Sequence, residues 1–208
     1  MRAFIYSGGE VFPDNITEHP KGDDLRIAAD SGYRNALKLG DRVDIFVGDF
    51  DSLDEGELDG NVEVIPLKPE KDITDTQAAV DVALDRGADD IYIVGGLSGR
   101  LDHTLSNISI LIEMKNCGRH AVIFDGRNRV RYIKNDSYIL ARTGYRYLSV
   151  IAADELVKGV ELKGVKYPLH NAKLKKSFQY AVSNEIEGNC AFIAVKKGGI
   201  FIIESRDR

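Results

Sequence analysis

The feature of this sequence that most constrains its fold is the alternation of short apolar runs with helical spacing over roughly the first 120 residues. The apolar runs lie at positions 2–6, 25–29, 44–47, 62–65, 91–94 and 121–124. Helix-compatible segments lie among them, at 31–39, 74–86 and about 102–115, and each stops close to a glycine. Strands alternating with helices are typical of βαβ units. We therefore predict a Rossmann-like, mostly parallel α/β sheet domain over residues 1–126.

Helical periodicity disappears after about residue 126. Seven short β-rich runs follow, at 129–133, 138–141, 147–151, 160–162, 177–182, 191–196 and 200–204, with turn residues such as Gly198 and Gly199 between them. Strands at this spacing are typical of a β-sandwich or a small barrel. We predict an all-β sandwich domain over residues 127–208.

The net charge of −5 hides an asymmetry between the two halves. Residues 1–104 carry 10 basic and 23 acidic side chains, whereas residues 105–208 carry 18 and 10. A mildly acidic chain is a poor nucleic-acid coat protein, because that role needs an excess of cations. No apolar run approaches the ~20 residues that span a bilayer, and Gly8 interrupts the N-terminus before a signal-peptide core could form. We therefore expect a cytoplasmic protein with neither nucleic-acid nor membrane partners.

The two cysteines, Cys117 and Cys190, have no paired spacing, which excludes a CxxC metal knuckle. Both lie in or beside apolar stretches, so we expect small buried thiols.

Carboxylates follow four of the predicted strands. They are Asp30, then Asp49 and Asp51, then Asp72 and Asp75, and finally Asp102. The carboxyl ends of parallel strands meet at one rim of a sheet, where ligands bind. So many like charges favour a cation, and oxygen ligands without His or Cys favour Mg²⁺. Taken singly, these residues have simpler explanations: Asp30 or Ser31 could cap a helix, and Asp49 and Asp51 could form a turn. Thr74 and Gln77 also fit a capping box.

Groups suited to phosphate lie in the same strand-end loops. Lys68, Lys71 and Arg100 supply positive charge, and residues 95–100 (GGLSGR) form a donor-rich loop that leads into a helix. A plain strand-to-helix turn is the alternative for that loop. The chain has neither the P-loop pattern nor GxGxxG, so Mg²⁺ and this loop would have to hold a nucleoside triphosphate.

Taken in order, these segments resemble the thiamine pyrophosphokinase family. The resemblance rests on ADSG at 29–32, GDFDS at 48–52, KDITD at 71–75, GGLSGRLDHTLSN at 95–107, GVKYPL at 164–169 and VSNE at 182–185. It implies an N-terminal catalytic domain that binds ATP and Mg²⁺ and a C-terminal β-sandwich that binds thiamine. It also implies a homodimer with the thiamine pocket near the subunit interface. The implied reaction transfers pyrophosphate from ATP to the hydroxyl of thiamine, giving thiamine diphosphate and AMP.

The resemblance also suggests a role for each candidate residue. The metal ligands would be Asp49, Asp51 and Asp75, and the nucleotide site would include Asp30, Lys71, Thr74, Gly96 and Arg100. Asp72, Arg100 and Asp102 are the catalytic candidates, with Asp102 touching the attacking hydroxyl as base or positioner. Ser183 and Asn184 would lie near the thiamine, with Asp102. The chain has no Trp, which some members use against the thiamine rings, so a Tyr or Phe could stack there instead.

Two other functions fit the clustered aspartates. A Mg²⁺-dependent phosphohydrolase acting on a nucleotide would need a positioned water in place of a pocket for an organic hydroxyl. A nucleotide-sensing module would use its β domain to contact a partner.

Overall fold

In the computed structural model, which describes residues 1–49, 55–68 and 72–207, the chain divides into two units, Met1–Gly126 and Arg127–Arg208. The strands of the first unit are β1 (Arg2–Tyr6), β2 (Leu25–Ala29), β3 (Ile45–Gly48), β4 (Glu63–Pro66), β5 (Asp90–Val94) and β6 (His120–Phe124). Its helices are α1 (Gly32–Lys38), α2 (Asp75–Asp85) and α3 (Leu101–Asn116), with short 3₁₀ turns at Pro13–Asn15 and Glu55–Glu57. No helix in the described part of the chain is both long and apolar enough to cross a membrane.

The six strands pair in parallel in the order β4-β3-β2-β1-β5-β6. The chain progresses outward from β1 to β4, then returns to the other side of β1 to add β5 and β6. The carboxyl ends of β1 and β5 therefore flank the point where strand order reverses, which is where open α/β sheets bind ligands. This arrangement confirms the predicted mostly parallel α/β fold.

Burial explains why β1 occupies the centre of the sheet. Its residues Ala3, Phe4, Ile5 and Tyr6 are all fully buried, as expected for a parallel strand that is covered on both faces. Glycine permits close packing beside it, because a Cβ at Gly32 would lie 1.9 Å from the Tyr6 carbonyl oxygen. The start of α1 is thereby held against the carboxyl end of β1.

The predicted helix caps are only partly formed. The Thr74 hydroxyl accepts a hydrogen bond from the Gln77 amide at 3.2 Å, as an N-cap should. The Gln77 side chain, however, donates to Asp81 at 3.1 Å, so the capping box is not reciprocal. Ser31 occupies the N-cap position of α1 without a side-chain capping bond.

The second unit is built from antiparallel strands. They are β7 (Asn128–Lys134), β8 (Ser137–Ala141), β9 (Tyr147–Ala152), β10 (Leu156–Lys163), β11 (Leu169–Lys175), β12 (Cys190–Lys197) and β13 (Gly199–Ser205). Three pair in the order β7-β13-β9 and four in the order β11-β10-β12-β8. Fully buried residues of both groups, such as Val150, Ile202, Val160 and Ile193, share one core. The predicted β-sandwich is therefore confirmed.

Two expectations for smaller features were wrong. Residues 177–182 do not form a strand, and the strand in this region is β11. Because β11 pairs only with β10, at a sheet edge, it carries exposed polar residues that conceal its β character from a hydropathy pattern. Cys117 and Cys190 are both exposed, because Cys117 follows the last residue of α3 and Cys190 is the first residue of β12, where the core does not cover them.

Candidate active site

A cleft of about 240 Å³ opens at the carboxyl ends of β1, β2 and β5. Five of the predicted site residues line it, namely Asp30, Thr74, Asp75, Gly96 and Arg100. These residues come from three separate segments of the sequence, and the reversal of strand order brings the segments to one rim. The cleft is mainly lined by small and polar side chains, which suits a charged ligand.

Asp30 combines an unusual backbone conformation with a buried carboxylate oxygen atom. It follows β2 with a φ of +48°, a left-handed conformation that is uncommon for a residue other than glycine. Its Oδ1 atom is buried without a hydrogen-bond partner among the described residues. A buried carboxylate oxygen with no donor is costly in the free protein and fits a cation or a ligand donor.

Thr74 and Asp75 are positioned by the start of α2. Thr74 caps the helix and Asp75 is its first residue, so the carboxylate lies where the helix dipole favours negative charge. Asp30 and Asp75 therefore supply oxygen ligands of the kind that Mg²⁺ prefers to the same cleft.

Two glycine-containing loops form another wall of the cleft. One is residues 7–9, after β1, and the other is residues 95–100, after β5. Gly96 has a φ of +73°, and a Cβ there would lie 2.6 Å from Asn107 Nδ2. Both the backbone conformation and the lack of space therefore require glycine at position 96. A loop constrained in this way favours a ligand-binding role over a plain strand-to-helix turn.

Arg100 and Asp102 form an exposed ion pair at the start of α3. Arg100 lines the cleft, whereas Asp102 is not among the lining residues. The pKa of Asp102 is lowered to about 2, mainly by the hydrogen bond from Arg100 and to a smaller extent by one from the His103 amide. Asp102 is therefore a carboxylate at neutral pH, better suited to accepting a hydrogen bond than to removing a proton.

Other predicted site residues do not join this group. Asp72 is exposed in the loop before α2, and Asp49 follows β3, half-buried; neither lines the cleft. Asp51 and Lys71 lie outside the described residues. Within the described ranges, no three His, Cys, Asp or Glu side chains are grouped closely enough to hold a metal ion by themselves.

Ser183 and Asn184 belong to the second unit. Ser183 is exposed, with a φ of +55°. The Asn184 side chain is buried: its Oδ1 accepts from the amides of Tyr167 and Glu185 at 3.0 and 2.9 Å, and its Nδ2 donates to the Tyr167 carbonyl at 2.8 Å. Asn184 therefore holds the backbone of Tyr167, a residue that is 60% exposed.

The sequence interpretation did not assign roles to several polar residues at the base of the cleft. Ser7 and Thr76 are buried and hydrogen-bonded to each other at 2.8 Å, and buried Asn107 donates to the Gly96 carbonyl at 3.0 Å. The sequence contained only a weak indication of these residues. Ser7 directly follows an apolar run, and Asn107 interrupts the apolar face of a helix.

A polar cleft at the strand-order reversal of a parallel sheet defines an α/β protein that binds a small charged ligand. Models of two protein families match this chain. "Thiamin pyrophosphokinase, catalytic domain" matches residues 17–123, and "Thiamin pyrophosphokinase, vitamin B1 binding domain" matches residues 136–200. The chain belongs to the thiamine pyrophosphokinase family, as the resemblance predicted.

Individual relatives agree with the family models. The chain is 30% identical over 210 residues to the thiamine pyrophosphokinase of Bacillus subtilis (strain 168), with 98% of both proteins covered. It is 28% identical to thiamin pyrophosphokinase 1 of Caenorhabditis elegans, with 86% of this chain and 78% of the relative covered. The crystal structure of thiamine pyrophosphokinase from Bacillus subtilis superimposes with a TM-score of 0.90 at 28% identity, covering all of both chains.

Proposed function

We propose that this chain transfers the pyrophosphoryl group of ATP to the hydroxyl of thiamine, giving thiamine diphosphate and AMP, in a Mg²⁺-dependent reaction. The proposal rests on membership of the family, and the residues that line the cleft support it independently. Carboxylates, two glycine loops and Arg100 line one cavity, which is the combination that a metal-bound triphosphate requires.

Asp49, Asp51 and Asp75 are proposed to hold Mg²⁺, which when bound neutralises charge on the phosphoryl oxygens. The Oδ1 atom of Asp30, which has no hydrogen-bond partner in the described part of the chain, fits the same ion or the nucleotide. Asp72 and Thr74 would orient the nucleotide or metal-bound water. Lys71 and Gly96 complete the proposed nucleotide site.

The reaction joins the thiamine hydroxyl oxygen to the β-phosphorus and breaks the bond between that phosphorus and the oxygen bridging to the α-phosphate. AMP leaves with the bridging oxygen, and the hydroxyl proton is released to water. Arg100 is proposed to pair with phosphate oxygens as their charge changes. Because its pKa is about 2, Asp102 is proposed to orient the hydroxyl by accepting its hydrogen bond, not to serve as the principal base.

The thiamine site is proposed to involve the β-sandwich unit, with Ser183 and Asn184, and to be completed by a second subunit. Exposed apolar side chains support this. Leu101 and Leu105 are 69% and 56% exposed one helical turn apart, directly after Arg100. Phe178, Tyr180 and Val182 are exposed immediately before Ser183. Apolar groups beside a polar site are typical of a surface that a partner covers, and we propose a homodimer acting in the cytoplasm.

Product analysis tests the proposal. The protein is incubated with ATP, Mg²⁺ and thiamine, and the nucleotides and thiamine esters are separated. AMP and thiamine diphosphate in equal amounts, both dependent on thiamine, are expected. Thiamine-independent release of phosphate would instead identify a phosphohydrolase, and nucleotide binding without any product would favour a sensing module.

A further inference from the structure

The two glycine loops of the cleft are hydrogen-bonded to each other as one layer. The Gly96 amide donates to the Gly8 carbonyl at 2.8 Å, and the Glu10 amide donates to Ser98 Oγ at 2.7 Å. Glycine is needed where the loops cross, because a Cβ at Gly95 would lie 2.8 Å from the Ser7 carbonyl oxygen. A displacement of one loop therefore displaces the other.

Asn35, on α1, hydrogen-bonds to the first of these two loops. Its Nδ2 donates to the carbonyl of Ser7 at 2.8 Å and to that of Gly9 at 3.0 Å, and the residue is 9% exposed. Both partners are carbonyl oxygens, which only accept hydrogen bonds, so only the NH₂ end of the amide can face them. Asn35 does not line the cleft itself.

We infer that Asn35 is a positioning residue for the triphosphate, and that it acts by fixing the carbonyls of Ser7 and Gly9. Those two bonds fix the position of Gly8, which lies between their acceptors. The Gly8 carbonyl in turn fixes the Gly96 amide. The loop that contains Gly96 positions Ser98 and Arg100 at the cleft. Small displacements of such a layer weaken phosphate binding, because charge-assisted contacts depend on distance and direction. This inference deepens the proposed function and rests on it only for the identity of the nucleotide.

Asn35→Asp tests the donor specifically. The side chain keeps its shape, but carboxylate oxygens replace the NH₂ group beside two carbonyl oxygens, so both bonds are lost. Leu37→Gly is the matched control. Leu37 is an exposed residue of the same helix, and its replacement destabilises α1 without touching either loop.

The measurement is the steady-state KM for ATP and for thiamine, with binding of a non-hydrolysable ATP analogue measured by calorimetry. In Asn35→Asp we expect the KM for ATP and the analogue Kd to rise about tenfold or more, while the KM for thiamine changes by less than about twofold. A role in stability alone would lower the amount of active enzyme and leave both KM values unchanged, as Leu37→Gly is expected to do. If Asn35→Asp does not fold, Asn35→Ala, which removes the donor without adding a charge, is measured instead.

Wild-type affinity for the analogue in a folded Asn35 variant would overturn the inference. That outcome is separable from failure of the proposed function, in which the wild-type protein would bind the analogue yet form no thiamine diphosphate.

Discussion

Arg100 Nη2 lies 2.6 Å from Asp102 Oδ2, so the residue proposed to hold phosphate is paired with the residue proposed to orient the acceptor hydroxyl. Both side chains are mostly exposed, and the pair adds little to stability. Its importance is instead chemical. The pair lowers the pKa of Asp102 and holds the guanidinium at the edge of the cleft.

The first prediction concerns the pH dependence of this pair. With a pKa lowered from 3.8 to about 2, Asp102 is ionised throughout pH 5–9, and any stabilisation by the pair is lost only as pH falls through about 2. Asp102→Asn should therefore lower kcat by roughly 10- to 100-fold, through poorer orientation of the hydroxyl, without moving the acid limb of the kcat profile. Loss of an acid limb near pH 6 in the variant would instead make Asp102 the general base.

The second prediction concerns the metal. Asp75→Asn should reduce turnover by about 100-fold or more and raise the Mg²⁺ concentration needed for half-maximal rate, because a neutral amide is a poorer ligand. Asp81→Asn is the control, since Asp81 lies on the same helix but is exposed. Magnesium titrations of the folded variants check this. Near-normal turnover of Asp75→Asn with an unchanged Mg²⁺ requirement would remove Asp75 from the metal site.

The third prediction separates stability from activity at Asp30. Replacing the carboxylate by an amide removes the charge of a half-buried side chain whose buried Oδ1 has no partner among the residues that the structure describes, and Asn tolerates a positive φ. Asp30→Asn should therefore melt at or above the wild-type temperature without ligands, yet lose most of its activity. The comparison needs melting curves with and without Mg²⁺-ATP. A variant that melts well below the wild type would show that Asp30 is structural.

The fourth prediction concerns the second unit. In Asn184→Asp the bond from Nδ2 to the Tyr167 carbonyl is lost, which should cost about 1–3 kcal/mol of stability and loosen Tyr167. We expect a higher KM for thiamine and an unchanged KM for ATP. Asn135→Ala serves as the control, because the Asn135 side chain, like that of Asn184, accepts a hydrogen bond from a backbone amide, that of Gly198. Equal effects of both variants on thiamine would contradict a specific role for Asn184.

The sequence predicted most of the fold because its strong signals are local. β1 and β2 were predicted with their observed ends, since each is a continuous apolar run that stops at polar or glycine residues. Strand-end placement also correctly grouped Asp30 with Asp75, because parallel topology alone decides that juxtaposition.

The remainder depends on contacts between distant residues. Asn35 in α1 looks like any polar helix residue until its partners, Ser7 and Gly9, are seen 2.8 and 3.0 Å away. The polar edge strand β11 likewise has little pattern of its own and is defined by its pairing with β10.

Pyrophosphoryl transfer is tested most directly by following the β-phosphorus of ATP. With label at that position, Mg²⁺ and thiamine, all transferred label is expected in thiamine diphosphate, with one unlabelled AMP formed for each. Label recovered in ADP, or in inorganic phosphate or pyrophosphate without thiamine diphosphate, would contradict pyrophosphoryl transfer.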